Sequence, residues 1–414
     1  MIYVHVPFCK SFCTYCGFYS ETAVCYEAYA GALVREIRER KEEMSATLGV
    51  GTVYFGGGTP SVLPLSVFRR IVAELKAVPG VLPAAEFTVE VNPEDIVRRG
   101  PGYAEALLEL GVNRISMGVQ SFDDAVLRRM NRRHDAATAV KAYHMLEDAG
   151  FGNISIDLIF GFPAGRGESD ALSGWSETLD RALEISGKGG LPKHISAYQL
   201  SVEPGSALEK MVESGRFVMA EDEVCAQEYE LLCSRLAGAG YNHYEISNFA
   251  LPGYEAKHNS AYWRQLPYTG LGPGAHSLRM TADGPCRSWN LEDLKGYVAS
   301  ALPDCTELSS KLSDCEILTP EQQALEALML GLRTAGGVPA ELLGLELTGD
   351  AGLSAATDSA AFGAAVPQTT FTVCSSEAVA AAIAAGHLEM IQSGNYRIPE
   401  RFFFISDSII ASLV

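Results

Sequence analysis

The sequence has no run of about 18 apolar residues, so no membrane span is expected. Its start, "MIYVHVPFCK", lacks the basic stretch and long apolar core of a secretory signal. A cytoplasmic location is therefore expected, with peripheral membrane contact left open. A basic surplus is missing as well: 32 Lys and Arg stand against 51 Asp and Glu, a net charge of −19. That balance repels phosphate backbones, and no nucleic-acid partner is expected. Cysteines in paired patterns are also absent. Seven of the ten are scattered singly, at Cys25, Cys225, Cys233, Cys286, Cys305, Cys315 and Cys374, and in a reducing compartment they read as small buried hydrophobes. The other three, Cys9, Cys13 and Cys16, form "CKSFCTYC", with no fourth cysteine at a matching interval.

What is present is a chain of 414 residues, 47% apolar, long enough for one large core and a smaller unit. Short β-branched runs recur as strand candidates: "IYVHV", "GTVYF", "EFTVEV", "NRISMGV", "NISIDLIF" and "HISAYQL". Amphipathic stretches lie between them. Tyr26 to Met44 reads as one long helix, followed by helices over 64–77, 102–110, 136–149, 169–185 and 221–237. Repeated β–α alternation implies parallel strands with right-handed crossovers. Six units are too few for the eight-unit barrel, which leaves an open partial barrel or a doubly wound sheet.

Beyond Tyr241 the alternation fades. "YNHYEISNFA" adds one strand at most, and 251–290, rich in Gly, Pro and aromatics, reads as an ordered loop region. From Thr319 the pattern turns helical, with Pro320 suited to a first helical turn. The tail from His387 suggests a strand, a turn at Ser393–Asn395, a second strand and a helix, as in a small winged-helix unit. The expected domains are a core over 1–300 and a helix-rich unit over 301–414. The segment 349–376 yields no reading.

The three-cysteine loop follows the first strand directly, at the strand end where chemistry sits in parallel β/α folds. Thiolates bind zinc or iron–sulfur clusters. A structural zinc wants four ligands, and the nearest extra candidate, His5, lies within the strand at an odd spacing. A cubane cluster takes one cysteine per iron, so three cysteines leave one iron open to a non-protein ligand. S-adenosylmethionine can fill that place through its amino and carboxylate groups.

With C-x3-C-x2-C after its first strand, the chain resembles the radical S-adenosylmethionine superfamily over roughly residues 1–290. It is most similar to the branch containing oxygen-independent coproporphyrinogen III oxidase and the haem chaperone HemW family. The resemblance implies a partial (β/α)6 barrel with a winged-helix-like C-terminal domain, a [4Fe–4S] cluster on Cys9, Cys13 and Cys16, S-adenosylmethionine, and an electron donor such as flavodoxin or ferredoxin. "FGGGTP" matches the family's glycine motif at Gly57, Gly58 and Thr59; glycine lets backbone approach a ligand closely. Tyr3 and Tyr15 sit where an aromatic could pack on adenine or shield a cluster. Glu90 alternates out of the apolar set of its strand, and Asp157 interrupts another apolar strand; each needs a partner if it faces inward. Gln120 and Arg132 match further cofactor positions, Arg132 as a clamp for a carboxylate. Ser201 is a weaker match.

Position 18 is Phe, where the oxidase pattern continues C-x2-C-x-C, and only eight residues precede Cys9, where the oxidase has a long extension. Both features resemble the chaperone branch and set the porphyrinogen oxidase reading second. "HNSAYW", His258 to Trp263, matches that branch's H-N-x-x-Y-W motif, implicated in haem handling. The resemblance makes His258 the leading haem ligand and His276 a weaker one, with haem as cargo passed to an apo haem protein. An RNA-modifying radical enzyme and a plain zinc or cluster-stabilised module stand as further alternatives; the charge balance argues against the first and the set of cofactor-matching residues against the second.

Overall fold

The computed structural model describes residues 1–47, 51–163, 171–188, 190–300, 313–345 and 373–414. Cys305 and most of the 349–376 segment lie outside the described residues. All six expected strands form: β1 (Ile2–Val6), β2 (Thr52–Gly57), β3 (Glu86–Val91), β4 (Arg114–Gln120), β5 (Ile154–Phe160) and β6 (His194–Gln199). They pair in sequence order, each parallel to the next. A doubly wound sheet would reverse its order partway, so this is the partial-barrel arrangement. The N-terminal-side edge is extended by β9 (Thr269–Leu271), parallel to β1. The far edge continues antiparallel through β8 (Asn248–Ala250) and β7 (Asn242–Glu245). The ends, β9 and β7, do not pair, so the curved sheet stays open.

Alternation divides the two faces. Val53 and Phe55 of β2, Phe87 and Val89 of β3, and Ile115 and Met117 of β4 are all buried in the apolar core. Helices 26–39, 65–76 and 136–149 also contribute to this core, which is the outer face of the sheet. The residues between them, such as Tyr54, Glu90, Ser116 and Asp157, are polar and make up the concave inner face.

Four segments differ from expectation. The stretch Tyr26 to Met44 is two helices, Tyr26–Glu39 and Lys41–Ala46, broken at Arg40. The Arg40 guanidinium is drawn onto Glu36, Glu43 and Ser277 and onto the Gly270 carbonyl, a tertiary anchor that periodicity does not show. A further helix, Pro93–Arg99, precedes the one expected over 102–110, with acids in its first turn and arginines in its last. Residues 251–290 are not loops. They contain a helix, Lys257–Trp263, then β9 and an antiparallel hairpin of β10 (His276–Thr281) and β11 (Gly284–Asn290). These elements are short and are held by distant partners, so local patterning carries little of them. "YNHYEISNFA" supplies two strands rather than one.

β12 (Ser313–Ile317) pairs with β11, and the helix-rich unit starts at Pro320, behind a capping box of Thr319 and Gln322. That unit holds a helix Ser376–Ala384, the small hairpin β13 (Glu389–Met390) and β14 (Tyr396–Arg397), and a last helix Ser406–Leu413. It docks on the β7 edge: the Ile246 amide donates to the Arg333 carbonyl, the Ala335 amide to that of Tyr244, and Phe404 packs on Tyr229. It thereby covers the open flank of the sheet.

Phe55 is fully buried, with ring centroids 4.9 Å from Phe68 and 5.6 Å from Phe87. Phe55→Ala should cost the barrel about 3–5 kcal/mol, read as a lowered urea midpoint with the native circular dichroism retained before the transition.

Candidate functional site

The three cysteines follow β1 at the end of the parallel strands where β2 and β3 also finish. Their loop is seated on the glycine loop after β2. The Gly58 amide donates to the Val6 carbonyl at 2.9 Å and the Thr59 amide to that of Phe8 at 2.8 Å. A Cβ on Gly58 would stand 2.7 Å from the Phe8 oxygen, so only glycine permits this approach. Gly57 takes φ +101°, and a side chain there would meet the His5 ring. The Thr59 hydroxyl lies 3.4 Å from Cys9 Sγ.

Two buried networks fix the cysteine loop from below. Asp95, fully buried, accepts from Lys10 at 2.6 Å, Ser61 at 3.1 Å and Arg133 at 3.2 Å. Burial alone would raise its pKa, but the Lys10 hydrogen bond and the charges of Arg133 and Lys10 hold it below the usual carboxylate range. Arg132 makes the second network. One Nη donates to Cys13 Sγ at 3.3 Å, and the other to the Gly118 carbonyl at 2.6 Å and to Asn92 Oδ1. Asn92 also donates to Thr59 at 3.4 Å. Arg132 thus joins the cysteine loop to the ends of three strands.

Gln120 stands at a bulge in the β4–β5 pairing and takes φ +68°, strained for a residue with a side chain. Its amide nitrogen lies where a Gly118 Cβ would project. Deeper on the inner face, Glu90 accepts from Tyr54 at 2.7 Å, and Asp157 accepts from Ser116 at 3.1 and 3.2 Å. Burial pushes Glu90 up to about 8, against the Tyr54 hydrogen bond and with the Asp157 charge adding to it. Burial likewise raises Asp157, opposed by hydrogen bonds from Ser196 and Ser116 and by the charge of Arg114. Tyr3 shares this face, its hydroxyl 3.1 Å from His5 Nδ1 and its ring 6.1 Å from Tyr54.

Tyr15 packs beside Met130, Ile159 and Leu200; burial raises its pKa, Arg132 lowers it, and Cys13 hydrogen-bonds with it. Ser201 is exposed and donates to Glu203 at 2.6 Å, while Glu203 lies against Gly17, next to Cys16. The sequence-derived set from Cys9 to Asp157 is therefore gathered at one strand end and the lumen beneath it, with Ser201 on the rim.

His258 lies elsewhere. It is 1% exposed and contacts the first residues of β2 and β3, the opposite end from the cysteines. Nδ1 pairs with Thr52 at 2.8 Å, Nε2 with Tyr262 at 2.9 Å, and the ring stacks on Tyr54 at 5.1 Å. The two oxygens of Glu86 accept from the Lys257 and His258 amides at 2.9 Å each, capping the helix. The motif is therefore a buried helix under the sheet, and in this arrangement neither ring nitrogen of His258 is free. His276, by contrast, is exposed, with its ring 6.0 Å from Trp289. Asn92, Tyr54, Asp95, Arg114 and Ser116 were missed from the sequence. "VNPED", an asparagine before a Pro-led helix start, was the one local signal that could have drawn attention to Asn92 and Asp95.

The residues suit a cluster held at three corners. The charges of Cys13 and Cys9 both act on Cys16, so the thiols share one neighbourhood. Among the described residues no three His, Cys, Asp or Glu side chains close on a single ion. Three thiols can each hold one iron of a cubane and leave the fourth iron open, whereas a structural zinc wants four protein ligands. Burial pushes Cys16 up to about 11, so iron must displace its proton on binding.

The Radical SAM superfamily profile matches residues 3–170. A heme chaperone HemW from Lactococcus lactis is 33% identical over 341 residues, 82% of this chain and 83% of that protein. One from Synechocystis is 34% identical over 351 residues, 81% and 78% of the two chains. A mitochondrial radical S-adenosyl methionine domain-containing protein 1 from Mus musculus is 34% identical over 344 residues, 81% and 74%. The solved coproporphyrinogen III oxidase HemN of Escherichia coli, a radical SAM enzyme, superposes with a TM-score of 0.72 at 20% identity over 99% of this chain and 89% of its own, a likeness of fold. Fold and cysteine loop together define a radical SAM protein. Within that superfamily the chain belongs to the HemW family.

Glu90 supplies a signed pH dependence. Its folded pKa of about 8 exceeds the ordinary 4.5, so the folded chain holds the proton that the unfolded chain releases. Its contribution to stability is present at low pH and lost as pH rises from about 4.5 through about 8. Glu90→Gln should match the native urea midpoint near the lower bound and gain on it steadily toward the upper; a constant difference across that window would contradict this.

Proposed function

We propose that the protein binds a [4Fe–4S] cluster and S-adenosylmethionine and works as a haem chaperone, taking up haem and passing it to an apo haem protein. The observation that carries the reading is the cysteine loop seated on Gly57–Thr59 and tied through Arg132 to the strand ends. Cys9, Cys13 and Cys16 would hold three irons. Gly57, Gly58 and Thr59 would offer backbone to the methionine amine, and Glu90 and Asp157 would meet the amine or ribose. Gln120, Tyr3, Tyr15 and Ser201 would border the nucleotide. Arg132 would orient the methionine carboxylate, its buried Nε having no partner among the described residues. The bound pair supplies one-electron chemistry, and a reductant such as flavodoxin or ferredoxin would feed it. The HemW relatives favour haem as cargo over coproporphyrinogen as substrate.

For haem itself, His276 offers an exposed imidazole beside an aromatic ring, whereas His258 becomes available only if helix 257–263 leaves its seat. The proposed domain division, 1–300 and 301–414, leaves the second unit on the sheet flank, able to meet the acceptor.

Anaerobic reconstitution with iron and sulfide should give a cluster whose electron-spin signal changes on adding S-adenosylmethionine, and Cys16→Ala should abolish it. A signal indifferent to the nucleotide overturns the cofactor assignment. Sustained formation of protoporphyrinogen from coproporphyrinogen would favour the oxidase reading. In haem titrations His276→Ala should weaken binding by about tenfold or more, while His258→Gln leaves it near native; the reverse order would return the ligand role to His258.

A further inference from the structure

Arg114 opens β4. Ile115, Met117 and Val119 of this strand lie in the outer apolar core, so Arg114 shares the inner face with Ser116 and Gly118. It is 2% exposed. Its Nε has no hydrogen-bond partner among the described residues, and the guanidinium makes no ion pair there. Its charge acts on Tyr54, Glu90, Asp157, His194, Tyr244 and His258, which belong to six different elements around the lumen. Across the β3–β4 pairing stands Thr88, fully buried, whose hydroxyl is also unpartnered.

A guanidinium is always charged, and burying it without a counter-charge is costly. The two acids nearby do not neutralise it by contact. Glu90 and Asp157 are each hydrogen-bonded elsewhere, to Tyr54 and Ser116, and burial favours the neutral form of both. They are also the groups the cofactor would engage. Among the described residues the lumen therefore presents a planar donor fork whose Nε has no hydrogen-bond partner, and a hydroxyl that has none. Such a fork matches a carboxylate bidentately.

We infer that Arg114, with Thr88 beside it, forms a carboxylate-binding subsite in the barrel lumen, and that the carboxylate is a propionate of the tetrapyrrole cargo. The occupant rests on the haem reading above. A small free carboxylate is the other source of the same chemistry.

The test uses the full chain with its cluster reconstituted, titrated with haem and with haem dimethyl ester, whose propionates carry no charge. The native protein should bind haem about tenfold or more tighter than the ester, as expected for a charge-assisted hydrogen bond. Arg114→Gln should bind both alike, and Arg114→Lys should recover part of the preference. The S-adenosylmethionine-dependent spin signal and the melting temperature report whether each variant is folded, and the lysine variant carries the comparison if the glutamine one is not. A preference retained in Arg114→Gln overturns the subsite, as does an equal loss for both ligands, which marks a packing role. Native protein without preference, in which acetate protects against thermal unfolding only when Arg114 is present, overturns the propionate and leaves a small-carboxylate site. Native protein that binds neither haem nor ester overturns the functional reading, and the proposed occupant with it.

Discussion

The constraint on which this structure rests is the alternation of β1 to β6. One face is apolar and closed by helices; the other is polar and curls around a lumen. A polar face can stay buried only if its groups find partners. Much of the inner surface meets that condition within the sheet: Tyr54 with Glu90, Ser116 with Asp157, Ser155 with His194. What is left unpaired, or protonated against its ordinary preference, marks where another molecule has work to do. Fold and site are thus one pattern viewed from opposite faces.

The two ends of the lumen are built differently. At the cysteine end, contacts are made by backbone, by glycines without side chains and by arginine forks spanning several strands. At the other end, a seven-residue helix is inserted beneath β2 and β3 and capped by one carboxylate. Seven residues are too few to be helical alone, so that helix owes its form to the sheet. The first end is rigid by over-determination, while the second depends on a few polar contacts.

The strands were legible because period-two alternation is local and strong, and the cysteine loop because its spacing is. Glu90 and Asp157 stood out as acids among apolar neighbours. Residues defined by tertiary partners were not legible. Arg40 ends a helix because of contacts near residue 270, and helix 257–263 exists because Glu86 caps it from over 170 residues away. Asn92 was missed, because only the fold makes it the link between Thr59 and Arg132. Arg114 went unnoticed: alternation in "NRISMGV" sets it on the face of Ser116, but only the fold shows that this face lines the lumen. His258 belonged to a motif visible in sequence, but its depth beneath the sheet was not.

On the side away from β2, β1 pairs with β9, some 265 residues later. During synthesis β1, followed by its three thiols, leaves the ribosome with one backbone edge bare until residues 269–271 have been translated. An exposed edge invites pairing with other chains. Until then the β1 segment is at risk of pairing with other chains, and the late arrival of residues 269–271 is the step that ends that risk.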